Sequence, residues 1–230
     1  MTNARIASPN DPREWDDWAG SYGADADLLG GLHDDELLRM ADFRGKRVLD
    51  LGCGTGRFAR RIAPLAAKVT AADYSPNMFE AARKNLGVFG NADVRLLDME
   101  KEDVGPDKYD IITAISVMHH VSGLERAVNN MKNSLTGGGK IIIVDHVYTR
   151  NPLRLVTFYL AALLKLGPLR CAGIFWGMIS GASRMAGHMK REAKMTLADL
   201  RNDYRELLPG ARVRLGSGIF AYLEWTKPNA

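Results

Sequence analysis

Arg47-Val-Leu-Asp50-Leu-Gly52-Cys-Gly54-Thr-Gly56 is a short apolar run that ends in three glycines at alternate positions. The run reads as a buried strand closed by a glycine-rich turn. Such a turn lets a ligand approach the backbone closely, and the helix that follows offers free N–H groups. The spacing predicts that helix over Arg57–Leu65, with Phe58, Ile62 and Leu65 on one face. Asp73 closes the next apolar run 21 residues after Gly52 (73 − 52). A carboxylate at the end of a second strand is placed to accept both hydroxyls of a ribose.

Outward from this stretch, strands and helices alternate. KVTAAD (68–73), DVRLLD (93–98), YDIITAISV (109–117) and KIIIVDH (140–146) read as strands. SPNMFEAARKN (75–85) begins with Ser at the N-cap and Pro at the first helical position, a helix start with a physical cause. GLERAVNNMKNSL (123–135) and TLADLRNDYRELL (196–208) are further helices, and Gly137–Gly139 punctuate the chain before the fifth strand. Alternation of this kind implies a parallel sheet covered on both faces. ARVRLGS (211–217) and IFAYLEWTK (219–227), separated by Gly216 and Gly218, predict a closing antiparallel hairpin.

Two ligand classes use a glycine loop with an acid one strand away. Dinucleotide enzymes have G-x-G-x-x-G. Here Arg57 occupies the third-glycine place and the glycine falls one residue early, at Gly56, giving G-x-G-x-G. In V-L-D-L-G-C-G-T-G the sequence resembles the first motif of the class I S-adenosylmethionine (SAM) methyltransferases, small-molecule branch, over roughly residues 45–147 and the terminal helix and hairpin.

That resemblance implies an α/β fold with a Rossmann-like, seven-stranded, mostly parallel sheet. One strand is antiparallel, helices cover both faces, and a helical insertion follows strand 5. It implies SAM as cofactor. Asp50, Gly52 and Gly54 would surround the methionine moiety, with Asp50 on its ammonium, and Cys53 and Gly56 would complete the cofactor-binding loop. Asp73 would hold the ribose, Tyr74 and Met78 would face the adenine, and Asp98 with Met99 would take the adenine amino group. Ala114 and Ile115 would meet the methionine moiety from the fourth strand. Trp15, Trp18 and Tyr22 resemble a family lead-in that folds over the cofactor, with Tyr22 on the cofactor and Trp18 toward substrate.

Methyl transfer from a sulfonium is an in-line displacement, so positioning supplies much of the catalysis. A base is needed when the acceptor carries a tightly held proton, and histidine suits that task near neutral pH. His119 and His120 follow the fourth strand and His146 ends the fifth, at the edge where such sheets bind ligands. His119 and His146 are the candidate base or orienting groups. Asp145 beside His146 raises the question of a divalent metal. The further carboxylate and amide ligands of catechol-type methyltransferases are not found at matched positions, so no metal is expected.

The domain plan has three parts. Residues 1–36 form an N-terminal helical arm or lid, residues 37–149 and 196–230 the SAM-binding core, and residues 150–195 a helical substrate-binding insertion of two or three short helices. Tyr148, Arg154, Phe158 and Trp176 are its candidate substrate contacts, with His119. Aromatic and Met side chains there form an adaptable apolar wall, and its arginines suit an anionic group.

Charge is unevenly distributed along the 230 residues. Residues 1–36 hold nine acids against Arg5 and Arg13, while residues 150–195 hold eight Lys/Arg against Glu192 alone. Two cysteines make neither a disulfide framework nor a Cys-only zinc site. The N-terminus lacks an apolar leader, so a cytoplasmic protein is expected. No apolar stretch reaches the roughly 20 residues of a spanning helix, although peripheral contact with a membrane surface stays open. The Asn/Asp-Pro-Pro-aromatic motif of adenine methylation, a Pro-Cys nucleophile and a paired-Glu loop are all missing, so nucleic acid and arginine substrates are disfavoured.

The expected function is methyl transfer to O, N or C of a small hydrophobic, potentially anionic molecule. One alternative is a membrane-surface lipid or quinone methyltransferase. Two alternatives of other classes are a nucleotide-dependent oxidoreductase and a non-catalytic SAM-binding protein. Oligomeric state is not legible.

Overall fold

A computed structural model describes residues 33–148, 151–169, 171–172, 176, 195–216 and 220–229. Seven strands form one sheet in the order β3-β2-β1-β4-β5-β7-β6. The strands are β1 (Arg47–Leu51), β2 (Lys68–Asp73), β3 (Ala92–Leu96), β4 (Tyr109–Ile115), β5 (Leu135–His146), β6 (Arg212–Leu215) and β7 (Phe220–Thr226). β1 through β5 pair in parallel, and β7 lies antiparallel between β5 and β6. The α/β class, the seven strands and the single reversed strand are those expected.

Alternation along the strands builds two apolar layers. Val48, Ile111, Ile142 and Val144 face one side, against α1 (residues 33–40), α2 (Arg57–Ile62) and α3 (Pro76–Leu86). Leu49, Ile112, Ile141 and Ile143 face the other, against α4 (Leu124–Ser134) and α6 (Leu197–Leu207). α5 (Pro152–Leu166) lies between β5 and α6 in sequence, and its Phe158 packs on the first layer.

The caps follow the sequence. Ser75 Oγ accepts the Met78 N–H at the start of α3, with Pro76 at the first position. Thr196 and Asp199 form a reciprocal capping box at the start of α6.

Three expected boundaries move. α2 ends at Ile62: Ala63 keeps helical dihedrals and donates to the Ala59 carbonyl, but Pro64 has no N–H to continue the ladder. Leu65 is thereby left off the buried face, 37% exposed. β5 begins at Leu135 rather than Lys140 and runs through the three glycines. A register shift between Tyr109 and Ile111 absorbs them. A Cβ at Gly139 would come within 3.0 Å of the Asp110 carbonyl, so the chain can pass there only without a side chain. In the insertion, one 15-residue helix, α5, opens where shorter pieces were expected; Asn151 caps it and Gly167 ends it.

α1 runs across the expected arm–core boundary at 36/37. Asp34 is buried and pairs with Arg57 at 2.5 Å and Arg61 at 3.3 Å, tying α1 to the first turns of α2. Trp15, Trp18 and Tyr22, and the 217–219 turn, lie outside the described residues.

Candidate active site at the carboxyl edge of the sheet

Every strand from β1 to β5 points its carboxyl end at the same rim, where open α/β sheets bind ligands. β1 delivers the glycine loop. Gly52 has φ +63°, and a Cβ there would meet Val117 Cγ2 at 2.4 Å, so glycine is required both by conformation and by space. Gly54 and Gly56 also have positive φ, and Gly56 is the N-cap of α2. Cys53 Sγ lies 3.5 Å from the Gly54 carbonyl. Burial, helped by the nearby Asp73 and Asp50 carboxylates, pushes its thiol well above the ordinary range, so it holds no thiolate nucleophile.

Three acids sit on successive strands. Asp50 on β1 is 2% exposed and accepts the Thr113 hydroxyl of β4 at 2.7 Å, across a direct register pair. Burial pushes its pKa up to about 6, opposed by the Thr113 hydrogen bond and by Arg57. Asp73 ends β2, and its carboxylate accepts the Gly54 N–H at 2.8 Å and the Ser75 N–H at 3.0 Å. It therefore fixes the glycine loop against the start of α3. Asp98 follows β3, accepts the Glu100 N–H and pairs with Lys101 at 2.7 Å.

Among the apolar candidates, Met78 and Ala114 are buried, while Tyr74, Met99 and Ile115 are half-buried at the strand ends. Ser116, just past Ile115, has φ +53°, an uncommon conformation for a non-glycine residue that marks the turn out of β4.

That turn leads into a 3-10 turn, Met118–His120. His119 Nδ1 there makes a short hydrogen bond to Asp145 Oδ1 on β5. Asp145 is buried, and its Oδ2 has no hydrogen-bond partner among the described residues. The His119 ring lies 5.6 Å from His146, and His146 lies 4.9 Å from Phe220. Phe158 of α5 is 6.2 Å from Phe220, and His33 of α1 is 4.6 Å from it. The structure thus joins His119, His146 and Phe158 through Phe220, an aromatic residue the sequence did not single out.

His119, Asp145 and His146 offer ligand atoms within 4.8 Å of one another, a group of metal-binding type. The Asp145 contact nevertheless engages His119 Nδ1 directly. Tyr148 and Trp176 are exposed, and Arg154 is half-exposed on α5. These three stand outside the His119–Phe220–Phe158 series of ring contacts.

Comparison with known proteins decides the family. The profile of the methyltransferase domain family matches residues 49–141. The ubiquinone biosynthesis O-methyltransferase of Neisseria meningitidis is 31% identical over 180 residues, 73% of this chain and 74% of the relative. The chain belongs to the class I SAM-dependent methyltransferases. An uncharacterized methyltransferase of Mycobacterium tuberculosis is 28% identical over 188 residues, 80% of this chain and 88% of that one. A SAM-dependent methyltransferase from Aquifex aeolicus shares the fold, with a TM-score of 0.63 at 15% identity over 94% of this chain and 98% of its own.

SAM is the cofactor of this methyltransferase, and the rim suits it. SAM presents an ammonium, a ribose diol and an adenine amino group, all of them donors. The Asp50, Asp73 and Asp98 carboxylates are acceptors at the ends of three adjacent strands. A pyrophosphate would meet like charge at Asp50 and Asp73, and Arg57, where a dinucleotide loop has its third glycine, is already engaged by Asp34.

Proposed function

We propose that this methyltransferase methylates a small hydrophobic molecule bearing a phenolic hydroxyl or an activated carbon, with His119 as the base. The observation that carries this reading is the His119–Asp145 hydrogen bond at the same rim as the glycine loop. Asp50 takes the ammonium, Asp73 the ribose hydroxyls, and Asp98 with the Met99 N–H the adenine amino group. Tyr74 and Met78 flank the adenine, and Ala114 and Ile115 line the methionine side. SAM, when bound, supplies an electrophilic methyl on a sulfonium.

The chain supplies position and proton transfer. Asp145 accepts from Nδ1–H of His119, which fixes the tautomer and leaves Nε2 with its lone pair. Nε2 accepts the acceptor's proton as the acceptor's electron pair forms the new bond to the methyl carbon and the methyl–sulfur bond breaks, its electron pair passing to the sulfur. The buried Asp145 carboxylate then stabilises the imidazolium. Phe220, Phe158 and His146 form an apolar wall beside this base, suited to a ring or a chain. His146 orients the acceptor, and Tyr148, Arg154 and Trp176 line the outer approach.

Relatives support the substrate class. One is named for ubiquinone O-methylation and another, from Ectopseudomonas mendocina, for ubiquinone and menaquinone C-methylation. Ubiquinone and menaquinone are themselves apolar molecules with an oxygenated ring. The test is incubation with SAM and a panel of prenylated catechols, phenols and hydroquinones, read by product mass. Methylated ring products support the reading. Methylation confined to polar amines or to nucleic acid would overturn it.

A further inference from the structure

α5 is apolar on both sides. Phe158 and the buried Ala162 face the sheet. Leu153, Val156, Leu160 and Leu164 face outward, 69%, 51%, 52% and 87% exposed. At 100° per residue these four fall within an arc of about 80°. The face opposite the core, where a surface helix of this kind is charged, is therefore made of leucine and valine. Leu169 and Trp176 are exposed as well, at 89% and 72%. Scattered apolar residues need no explanation, but a contiguous stripe of this kind marks a contact surface.

Two observations choose the occupant. The first is charge: residues 150–195 carry eight Lys/Arg and a single acid. A second copy seated on this stripe about a twofold axis would lay two copies of α5, each with Arg154 and Lys165 and no acid, against each other, because a twofold interface uses the same patch on both sides. An anionic surface complements them instead. The second is length: α5 has 15 residues, about 22 Å at 1.5 Å per residue, and no described helix is long and apolar enough to cross a membrane. A short helix with one face of leucines, and with Arg154 and Lys165 but no acid in its sequence, lies in the plane of an interface.

We propose that α5 docks this methyltransferase on an anionic phospholipid surface, with Leu153, Val156, Leu160 and Leu164 among the acyl chains. The inner face of the same helix carries Phe158, which leads through Phe220 and His146 to His119. An apolar acceptor dissolved in the bilayer then enters from the face that touches it. This step rests on the proposed substrate class, but the docking does not need the substrate to be tested.

The test is flotation of the full chain with phosphatidylcholine vesicles, with and without phosphatidylglycerol, at low and high salt. The wild type is expected to float with the anionic vesicles at low salt and to be partly released by high salt. The Leu160→Glu/Leu164→Glu variant is expected to lose about tenfold or more in vesicle affinity. Its thermal unfolding, SAM affinity and turnover of a short-chain soluble acceptor should match wild type. Leu164→Ser is the milder variant, with a smaller loss in the same direction. Absence of wild-type binding at low salt, or equal binding by the variants, would overturn the docking. So would a wild-type dimer in solution that the double variant converts to monomer, since a second copy would then cover the stripe. Loss of soluble-acceptor turnover by the wild type itself would instead strike the proposed function.

Discussion

The Asp50 carboxylate accepts the Thr113 hydroxyl at 2.7 Å between register-paired residues of β1 and β4, in a site only 2% exposed. Burial raises its pKa from 3.8 to about 6. The folded chain holds this proton more tightly than the unfolded chain, so the contribution is stabilising below about pH 4 and is lost as pH rises through about 6. Ionised Asp50 is thus a cost to the apoprotein near neutrality. Asp50→Asn is expected to raise apoprotein stability at pH 8 by up to about 3 kcal/mol, read by urea unfolding. The same change should weaken SAM binding at least about tenfold, because the ammonium loses its counter-charge. Wild-type SAM affinity should fall as pH drops below about 6, with proton release on binding detectable by calorimetry in buffers of different ionisation enthalpy.

Asp73 performs two tasks with one carboxylate. It accepts the Gly54 and Ser75 N–H groups in the structure and is assigned the ribose hydroxyls. Asp73→Ala should weaken SAM binding by well over tenfold, since a hydrogen bond to a charged group contributes about 1.5–3 kcal/mol. Equilibrium dialysis with labelled SAM measures this. An unchanged affinity would remove the ribose assignment.

Gly52 is the least replaceable loop residue. Its φ of +63° is compounded by a Cβ-to-Val117 Cγ2 approach of 2.4 Å. Gly52→Ala is expected to destabilise by about 1–3 kcal/mol. Adding Val117→Ala should recover the steric part but not the backbone part, giving partial rescue of the melting temperature.

The His119–Asp145–His146 group makes a separate forecast about metals. Because Asp145 engages His119 Nδ1, methyl transfer is expected to persist after dialysis against a chelator. Added zinc should inhibit by competing for the base, and chelator should reverse that inhibition. Activity lost on chelation and restored by a divalent ion would assign the group to a metal instead.

Much of this was legible in the sequence because short-range physics sets it. The glycine spacing sets the loop, Ser75-Pro76 and Thr196 set two helix starts, and the order of strands and helices sets a sheet covered on both faces. The boundaries that moved depend on other parts of the chain. Gly137–Gly139 join β5 because Tyr109 on β4 supplies a partner for Leu135. The separation of 26 positions between His119 and Asp145 hides their hydrogen bond, which exists only once β4 and β5 are adjacent. In the sequence Asp145 signals only a metal candidate beside His146. Phe220, which closes the wall between His146 and Phe158, lies 62 residues beyond Phe158 and carried no local signal. Ser116 gave none either, since a positive φ at serine is imposed by the surrounding fold.

The decisive step is transfer of the acceptor's proton to His119. Single-turnover methyl transfer to a phenolic acceptor, at saturating SAM, compares wild type with His119→Gln and Asp145→Asn. His119→Gln is expected to lose about 10²–10⁴-fold in rate with SAM affinity unchanged. Asp145→Asn should show a smaller loss that is relieved as pH rises. A His119→Gln rate equal to wild type, at equal SAM occupancy, would contradict the assignment of His119 as the base.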